Sequence, residues 1–365
     1  MSYSFIKIEK LKKLCESIFE KYGFTKQDAT FIIDVLLTAD MFGIESHGVQ
    51  RMVRYADALE KGHIDPKAST ETVFETPCSA VWKADRTMGQ LVARDGMELA
   101  IRKAKEHGFG IVTVRGSNHY GIAGYYTLMA EKEDLLGVCM TNTEAIAIPT
   151  NGKKAMLGTS PIALCMPADP IPFWYDAATT VITRGKLEVY RKAGNSLPSG
   201  WAADENGKSC DDADRALQAI INKTGGGIFP LGGESEVLGS HKGYGLGIIV
   251  ELFTSIFSGG TTSPHVLNNG NADTSFCFAA IDYGMFGDKT EIRARMSTLL
   301  RELRESPTAE GCDRVYTHGE KEWQSRERII KTGVPVQDKT ICELKQIALR
   351  RGIEIKDDVF GSGDE

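Results

Sequence analysis

Nowhere does the sequence reach the ~18 consecutive apolar residues that a membrane-spanning helix needs. Its longest approach, "GLGIIVELFTSIFSG" at 245–259, is shorter and carries Glu251. The opening "MSYSFIKIEKLKKLCESIFEKYG" interleaves Lys and Glu with apolar side chains and reads as neither signal peptide nor anchor. Paired cysteines are missing too. The eight cysteines, at 15, 78, 139, 165, 210, 277, 312 and 342, stand singly, which argues against a zinc knuckle or a thioredoxin-type site. Most sit in apolar runs such as "GVCMT" and "IALCMP", as small hydrophobes and reduced thiols of a cytoplasmic protein. Nor is positive charge in excess. With 43 Lys and Arg against 49 Asp and Glu, the net −6 leaves no footprint for nucleic acid or an anionic membrane. An anionic substrate would need a local cluster of cations. No G-x-G-x-x-G follows a strand, and no G-x-x-x-x-G-K-[ST], H-E-x-x-H or G-x-S-x-G occurs. Neither a Rossmann fingerprint nor a P-loop can be claimed.

What is present is a globular composition: 365 residues, 42% hydrophobic and 25% charged, enough for about two or three domains. The first sixty residues read as helical. "KIEKLKKLCESIFEKYG" has apolar residues at helical spacing, and "TKQDATFIIDVLLTADMFG" opens on Thr25 and Asp28, an approximate capping box. From about residue 72 the spacing predicts strands alternating with helices. The strands are "TVFET", "SAVWKAD", "FGIVTVRG", "VCMTN", "PIALCMP", "IPFWYDA" and "SFCFAAID"; residues 194–240 read mainly as loop, with a short helix near "ADRALQAI".

Five polar clusters could carry chemistry. In "GIESHGVQRMVRYADAL", Ser46 suits a helix N-cap, and His47, Arg51 and Tyr55 follow at four-residue spacing, which would stack them on one helical face. A solvent-facing stripe has the same spacing. "RGSNHYGIAGYY" sets His119 in a glycine-rich turn after a strand. "LGTSP" places two hydroxyls in the turn Gly158–Pro161. "YDAATT" puts Asp176, Thr179 and Thr180 at a strand-to-helix junction, suited to ribose or phosphate and equally to ordinary capping. "GSHKGYG" presents His241 and Lys242 before an apolar helix, where an anion would be held. His47, His119 and His241 could in principle form a three-histidine metal site of a hydrolase or lyase, but no two have ligand spacing and no metal is expected.

Six stretches in order, "DMFGIESHGVQRMVRY", "GSNHYGIAGYY", "LGTSPIA", "YDAATTVITRGK", "LPSGWAADENGK" and "SHKGYGLG", resemble the malate/L-lactate dehydrogenase family that lacks a Rossmann fold. That family includes malate, sulfolactate, ureidoglycolate and diketogulonate enzymes, and the likeness spans roughly residues 10–330. Four positions depart from the family's pattern: Ser160 for Asn, Ala177 for Met, and Ser240-His241 for Gly-Tyr. The resemblance implies an α/β (α+β) fold with a non-Rossmann NAD(P)-binding domain on a largely antiparallel sheet, plus a helical domain. The expected division is residues 1–75 with 305–365 for the helical part, carrying the substrate-contact segment, and 76–304 for the cofactor part. It further implies a homodimer, and NAD or NADP as cofactor.

By matching motifs, the resemblance makes His119 and His47 the acid/base candidates and Ser46, Arg51 and Tyr55 the substrate contacts. Gly158, Thr159, Ser160, Pro161, Asp176, Ala177, Ala178, Thr179, Thr180, His241 and Lys242 become the cofactor region. The expected reaction interconverts a 2-hydroxy acid and a 2-keto acid, with malate and oxaloacetate first and lactate, sulfolactate, ureidoglycolate or a diketo sugar acid as alternatives. The residue types suit it. Imidazole exchanges a proton near neutral pH, and guanidinium grips a carboxylate with two parallel bonds, as lysine cannot. His47, in the first turn of its helix, is expected to have a pKa lowered by the helix dipole, and His119 a more ordinary one.

Overall fold

The computed structural model describes residues 2–266, 273–355 and 359–360. Two helices stand where the spacing predicts them, α1 (Ile8–Lys21) and α2 (Lys26–Met41), and the Thr25 hydroxyl accepts the Asp28 N–H at 3.1 Å to cap the second. Ahead of them lies a strand that the helical reading missed, β1 (Tyr3–Ile6). It pairs with Val334–Gln337, and a partner at the other end of the chain leaves no local trace.

The expected helix from Ser46 through Tyr55 is broken. Single 3-10 turns, Glu45–His47 and Val49–Arg51, flank Gly48, and α3 runs only from Met52 to Glu60. The cause is Asp40 on α2. Its buried carboxyl accepts the Val49 N–H at 2.9 Å, and Gly48 turns to ψ −153° around it. Ser46 therefore caps no helix, and His47, Arg51 and Tyr55 do not share one α-helical face.

From residue 71 the predicted alternation holds: β2 (Glu71–Glu75), β3 (Ser79–Lys83), α4 (Gly89–His107), β4 (Phe109–Ser117), α5 (Ala123–Glu131), β5 (Leu136–Thr141), β6 (Ile162–Met166), β7 (Phe173–Ala177) and α6 (Arg184–Ala193). The loop-rich stretch carries a two-strand pair, β8 (Ala202–Ala203) with β9 (Gly227–Ile228), and α7 (Ala213–Asn222). α8 (Ser240–Glu251) runs on into a π-helical turn, Leu252–Ile256, before β10 (Thr274–Ile281) and α9 (Lys289–Glu305). α10 (Glu320–Thr332), not foreseen, precedes β11 (Val334–Gln337) and α11 (Asp338–Arg350).

The central sheet has seven strands in the order β2-β3-β4-β10-β5-β6-β7, and every neighbouring pair is antiparallel except β3 with β4. This is the α/β class with a largely antiparallel sheet. β10 lies mid-sheet and is buried from Thr274 to Ala280, so its sequence shows no alternation. α4 packs so closely on it that a β-carbon at Gly96 would lie 2.8 Å from the Phe278 ring.

Two large cores share α2. Ile32, Ile33, Leu36 and Leu37 pack in a helical core with Leu11, Ile18, Phe19, Met52, Tyr55 and α11, while Val35, Ala39 and Phe42 join the core of the sheet with Val114, Tyr120 and Phe278. Of the expected domain ranges, residues 1, 267–272, 356–358 and 361–365 lie outside the described residues. Among the described residues no helix is long and apolar enough to cross a membrane.

Candidate active site

The helical core delivers Tyr55 and the sheet delivers His119, and the two side chains meet. β4 ends at Ser117. The turn that follows is pinned by Asn118, whose amide donates to the Thr87 carbonyl at 3.0 Å. Tyr55 Oη lies 2.6 Å from His119 Nδ1, and the Gly121 N–H reaches the same nitrogen at 3.4 Å. The His47 ring stacks on His119, centroids 5.5 Å apart and planes 26° from parallel. Ser46 Oγ is 2.9 Å from His47 Nδ1, and Arg51 Nε donates to the Ser46 carbonyl at 2.6 Å. The break at Gly48 thus gathers Ser46, His47, Arg51, Tyr55 and His119 into one cluster that a single straight helix would not have formed.

Burial sets the charge states. It pulls the His47 pKa down to about 4, and the Arg51 and Arg54 guanidiniums push the same way. His119 falls well below the ordinary range, again through burial first, then through Arg54, His47 and Arg51. Two expectations are corrected here. No α-helix begins at His47, so its low pKa comes from burial and two guanidiniums; and His119 is not ordinary, because its turn is walled in. Both imidazoles are neutral at pH 7, yet each keeps a strip of accessible surface. Burial also raises Tyr55 to about 12.

The expected cofactor residues lie along a second band, which β7 joins to the first. Asp176 accepts the Gly124 N–H at 2.7 Å at the start of α5, just beyond the His119 turn, and burial raises its pKa to about 7. Ala177 ends β7 opposite Ile162, and Ala178 follows, half-buried. Thr179 N–H donates to the Thr159 carbonyl at 2.9 Å, and its hydroxyl does so at 3.1 Å; the Thr180 hydroxyl donates to the Ile182 carbonyl. The Gly158–Pro161 turn is held by Ser263 Oγ, which accepts the Gly158 N–H at 3.2 Å, and by Thr143 Oγ1, which accepts the Thr159 N–H. Ser263 in turn binds the buried Glu251 carboxylate at the end of α8. Ser160 sits at φ 41°, a backbone state that asparagine tolerates better, and its buried hydroxyl has no partner.

His241 and Lys242 are exposed in the first turn of α8, which no side chain caps, and a β-carbon at Gly247 would come 3.7 Å from Thr179 Oγ1. Uncapped N–H groups, a lysine and an unused hydroxyl are donors that fit an anionic dinucleotide. No contact links His241 to His47 or His119, and among the described residues no three His, Cys, Asp or Glu side chains are grouped as a metal would need.

Three contributors escaped the sequence reading. Asp40 left a faint signal, an acid inside the apolar run "LLTADMFG". Gly48 and Gln90, the latter completely buried at the start of α4, left none.

Residues 6–345 match the family model described as malate/L-lactate dehydrogenase. The chain is 42% identical over 339 residues to a malate dehydrogenase of Pyrococcus abyssi, covering 92% of each, and 36% identical over 357 residues to an L-sulfolactate dehydrogenase of Methanocaldococcus jannaschii, covering 96% of this chain and 98% of that one. Its fold superposes on the crystal structure of malate dehydrogenase from Entamoeba histolytica with a TM-score of 0.93 at 33% identity, covering 97% and 99% of the two chains.

Proposed function

The chain belongs to the malate/L-lactate dehydrogenase family, and on that premise we propose that this 2-hydroxy acid dehydrogenase interconverts malate and oxaloacetate with NAD or NADP. The observation that carries the reading is Arg51. Its Nε is tied to the Ser46 carbonyl, which fixes the guanidinium plane and leaves the two terminal nitrogens as a fork beside two neutral histidines. That fork takes the carboxylate next to the reacting carbon. Arg54, near enough to depress both imidazoles, supplies the second cation that a dicarboxylate calls for. His119 exchanges the proton of the substrate oxygen, and His47, stacked on it, holds the substrate's orientation.

Lys242, His241 and the Gly158–Pro161 turn, with Asp176 to Thr180, hold the dinucleotide. When bound, the nicotinamide supplies or accepts the hydride. The protein works as a homodimer in the cytoplasm. Ile248, Ile249, Leu252, Ile256 and Phe257 form an exposed apolar face on α8 and its π turn, and the cysteines are unpaired.

The test is absorbance at 340 nm with oxaloacetate, pyruvate, sulfopyruvate, the ureidoglycolate keto acid and diketogulonate against NADH and NADPH. Turnover greatest with oxaloacetate, without added metal, is the expected result. Turnover only with another keto acid moves the substrate; none with any removes the reading.

A further inference from the structure

Gln90 is completely buried, and neither its side-chain nitrogen nor its oxygen has a hydrogen-bond partner. It sits directly under the histidine turn. Gly89 beside it presses so close that a β-carbon there would lie 2.2 Å from the Asn118 carbonyl oxygen and 2.4 Å from that of His119. The Gln90 amide is near enough to the Tyr55 phenol to favour its anionic form, yet closes no hydrogen bond with it. A buried amide with nothing to bond calls for a reason, and its neighbour supplies one.

Two groups converge on His119 Nδ1, and one of them, the Gly121 N–H, can only donate. That contact, long at 3.4 Å, favours a lone pair on Nδ1 without fixing it, so the tautomer turns on whether the Tyr55 hydroxyl at 2.6 Å donates or accepts. With its proton given to Nδ1, the buried phenol oxygen needs a donor of its own, and the Gln90 amide N–H is the group in place. We propose that Gln90 is a positioning residue: by donating to Tyr55 it commits the phenol proton to His119 Nδ1, and so keeps the proton of the neutral imidazole on Nε2, the nitrogen left for substrate.

Resting on the dehydrogenase reading, this gives the proton a route that avoids a buried imidazolium. In keto-acid reduction the nascent alkoxide oxygen takes the proton from Nε2. Nδ1 takes the proton of Tyr55, the imidazole stays neutral in its other tautomer, and a phenolate remains until water returns a proton. The direction is downhill, because an alkoxide is roughly as basic as hydroxide (water pKa about 15.7), well above a phenol near 12. Arg51, Arg54 and Gln90 all favour the phenolate.

The test is nitrogen NMR of enzyme labelled with ¹⁵N-histidine, at about pH 7, with His119 assigned by its loss in His119→Gln. The expected wild-type spectrum has a pyridine-type Nδ1 and a pyrrole-type Nε2. In Gln90→Met, which keeps the volume and loses the donor, the spectrum becomes a mixture of tautomers and kcat for keto reduction falls roughly 10-fold. A wild-type Nδ1 that carries the proton overturns the proposal, as does a Gln90→Met spectrum unchanged from wild type. A chain that turns over no keto acid would remove the dehydrogenase reading and leave the spectra interpretable.

Discussion

Asp40 and Gly48 occupy adjoining space so closely that a β-carbon on Gly48 would lie 1.7 Å from Asp40 Oδ1. The carboxyl can reach the Val49 N–H only because residue 48 has no side chain. That hydrogen bond turns the chain between His47 and Arg51.

Gly48→Ala should therefore push the carboxyl off Val49 and let the His47 and Arg51 turns drift. A displacement near 1 Å lowers kcat/KM by roughly 10²-fold. Adding Asp40→Ala frees the space again, so the double variant should be less impaired than the product of the single effects. Steady-state kinetics on the three variants checks this, with circular dichroism confirming the fold; an alanine at 48 with wild-type kcat/KM would show that the contact is slack.

Asp40 also gives stability a pH dependence. Burial raises its pKa to about 8 from an ordinary 3.8, so the folded state holds a proton that the unfolded chain has lost. Its contribution is complete below pH 3.8 and is lost as pH rises through 8. His47, lowered from 6.5 to about 4, works in the opposite sense, losing stability as pH falls from 6.5. Above that value Asp40 remains, joined up to about pH 7 by Asp176. The Tm should fall between roughly pH 6.5 and 8, and Asp40→Asn should flatten the fall; calorimetry across that range decides.

Arg51→Lys keeps the charge and loses the fork. Lysine cannot bind the Ser46 carbonyl and still offer two parallel donors, so kcat/KM should drop by one to three orders of magnitude, about 1.4–4 kcal/mol. An unchanged value would return Arg51 to a structural role.

The histidines should separate kinetically. His119→Gln is expected to lower kcat by a factor of roughly 10²–10⁴, while His47→Gln loses more in KM. The pH profile of kcat distinguishes them. If His119→Gln keeps the wild-type shape and His47→Gln loses a limb, the two roles are reversed.

Charge on the exposed face of α8 should separate subunits. Ile256→Glu with Phe257→Glu places two carboxylates on the apolar face; if the proposed homodimer forms through it, light scattering should report a dimer for the parent and a monomer for the variant.

Much of this molecule could be read from spacing. The strands β2 to β7 and α4 stand where strand-forming runs and 3.6-residue periodicity put them, because those signals lie within the elements themselves, and β10 stands where a continuous apolar run put it. β1 and β11 were not legible, since each is made by the other across the whole chain. The segment from Ser46 to Tyr55 was half legible. Its residue types pointed to one cluster, but the helix inferred from their spacing is overridden by a buried carboxyl on another element. Gln90 was illegible for a related reason: a glutamine at a helix start is ordinary until its surroundings are known.

Because Tyr55 is seated in the helical core and His119 follows a strand of the other, the bond between them is also a seam between two independently packed masses. Heat need not melt the chain to silence it. A slip at the seam of a fraction of the 2.6 Å bond would part phenol from imidazole while both cores persist, so on heating activity should be lost before the helical signal and should return on cooling. α2, which places side chains in both cores, ties the two sides of that seam together.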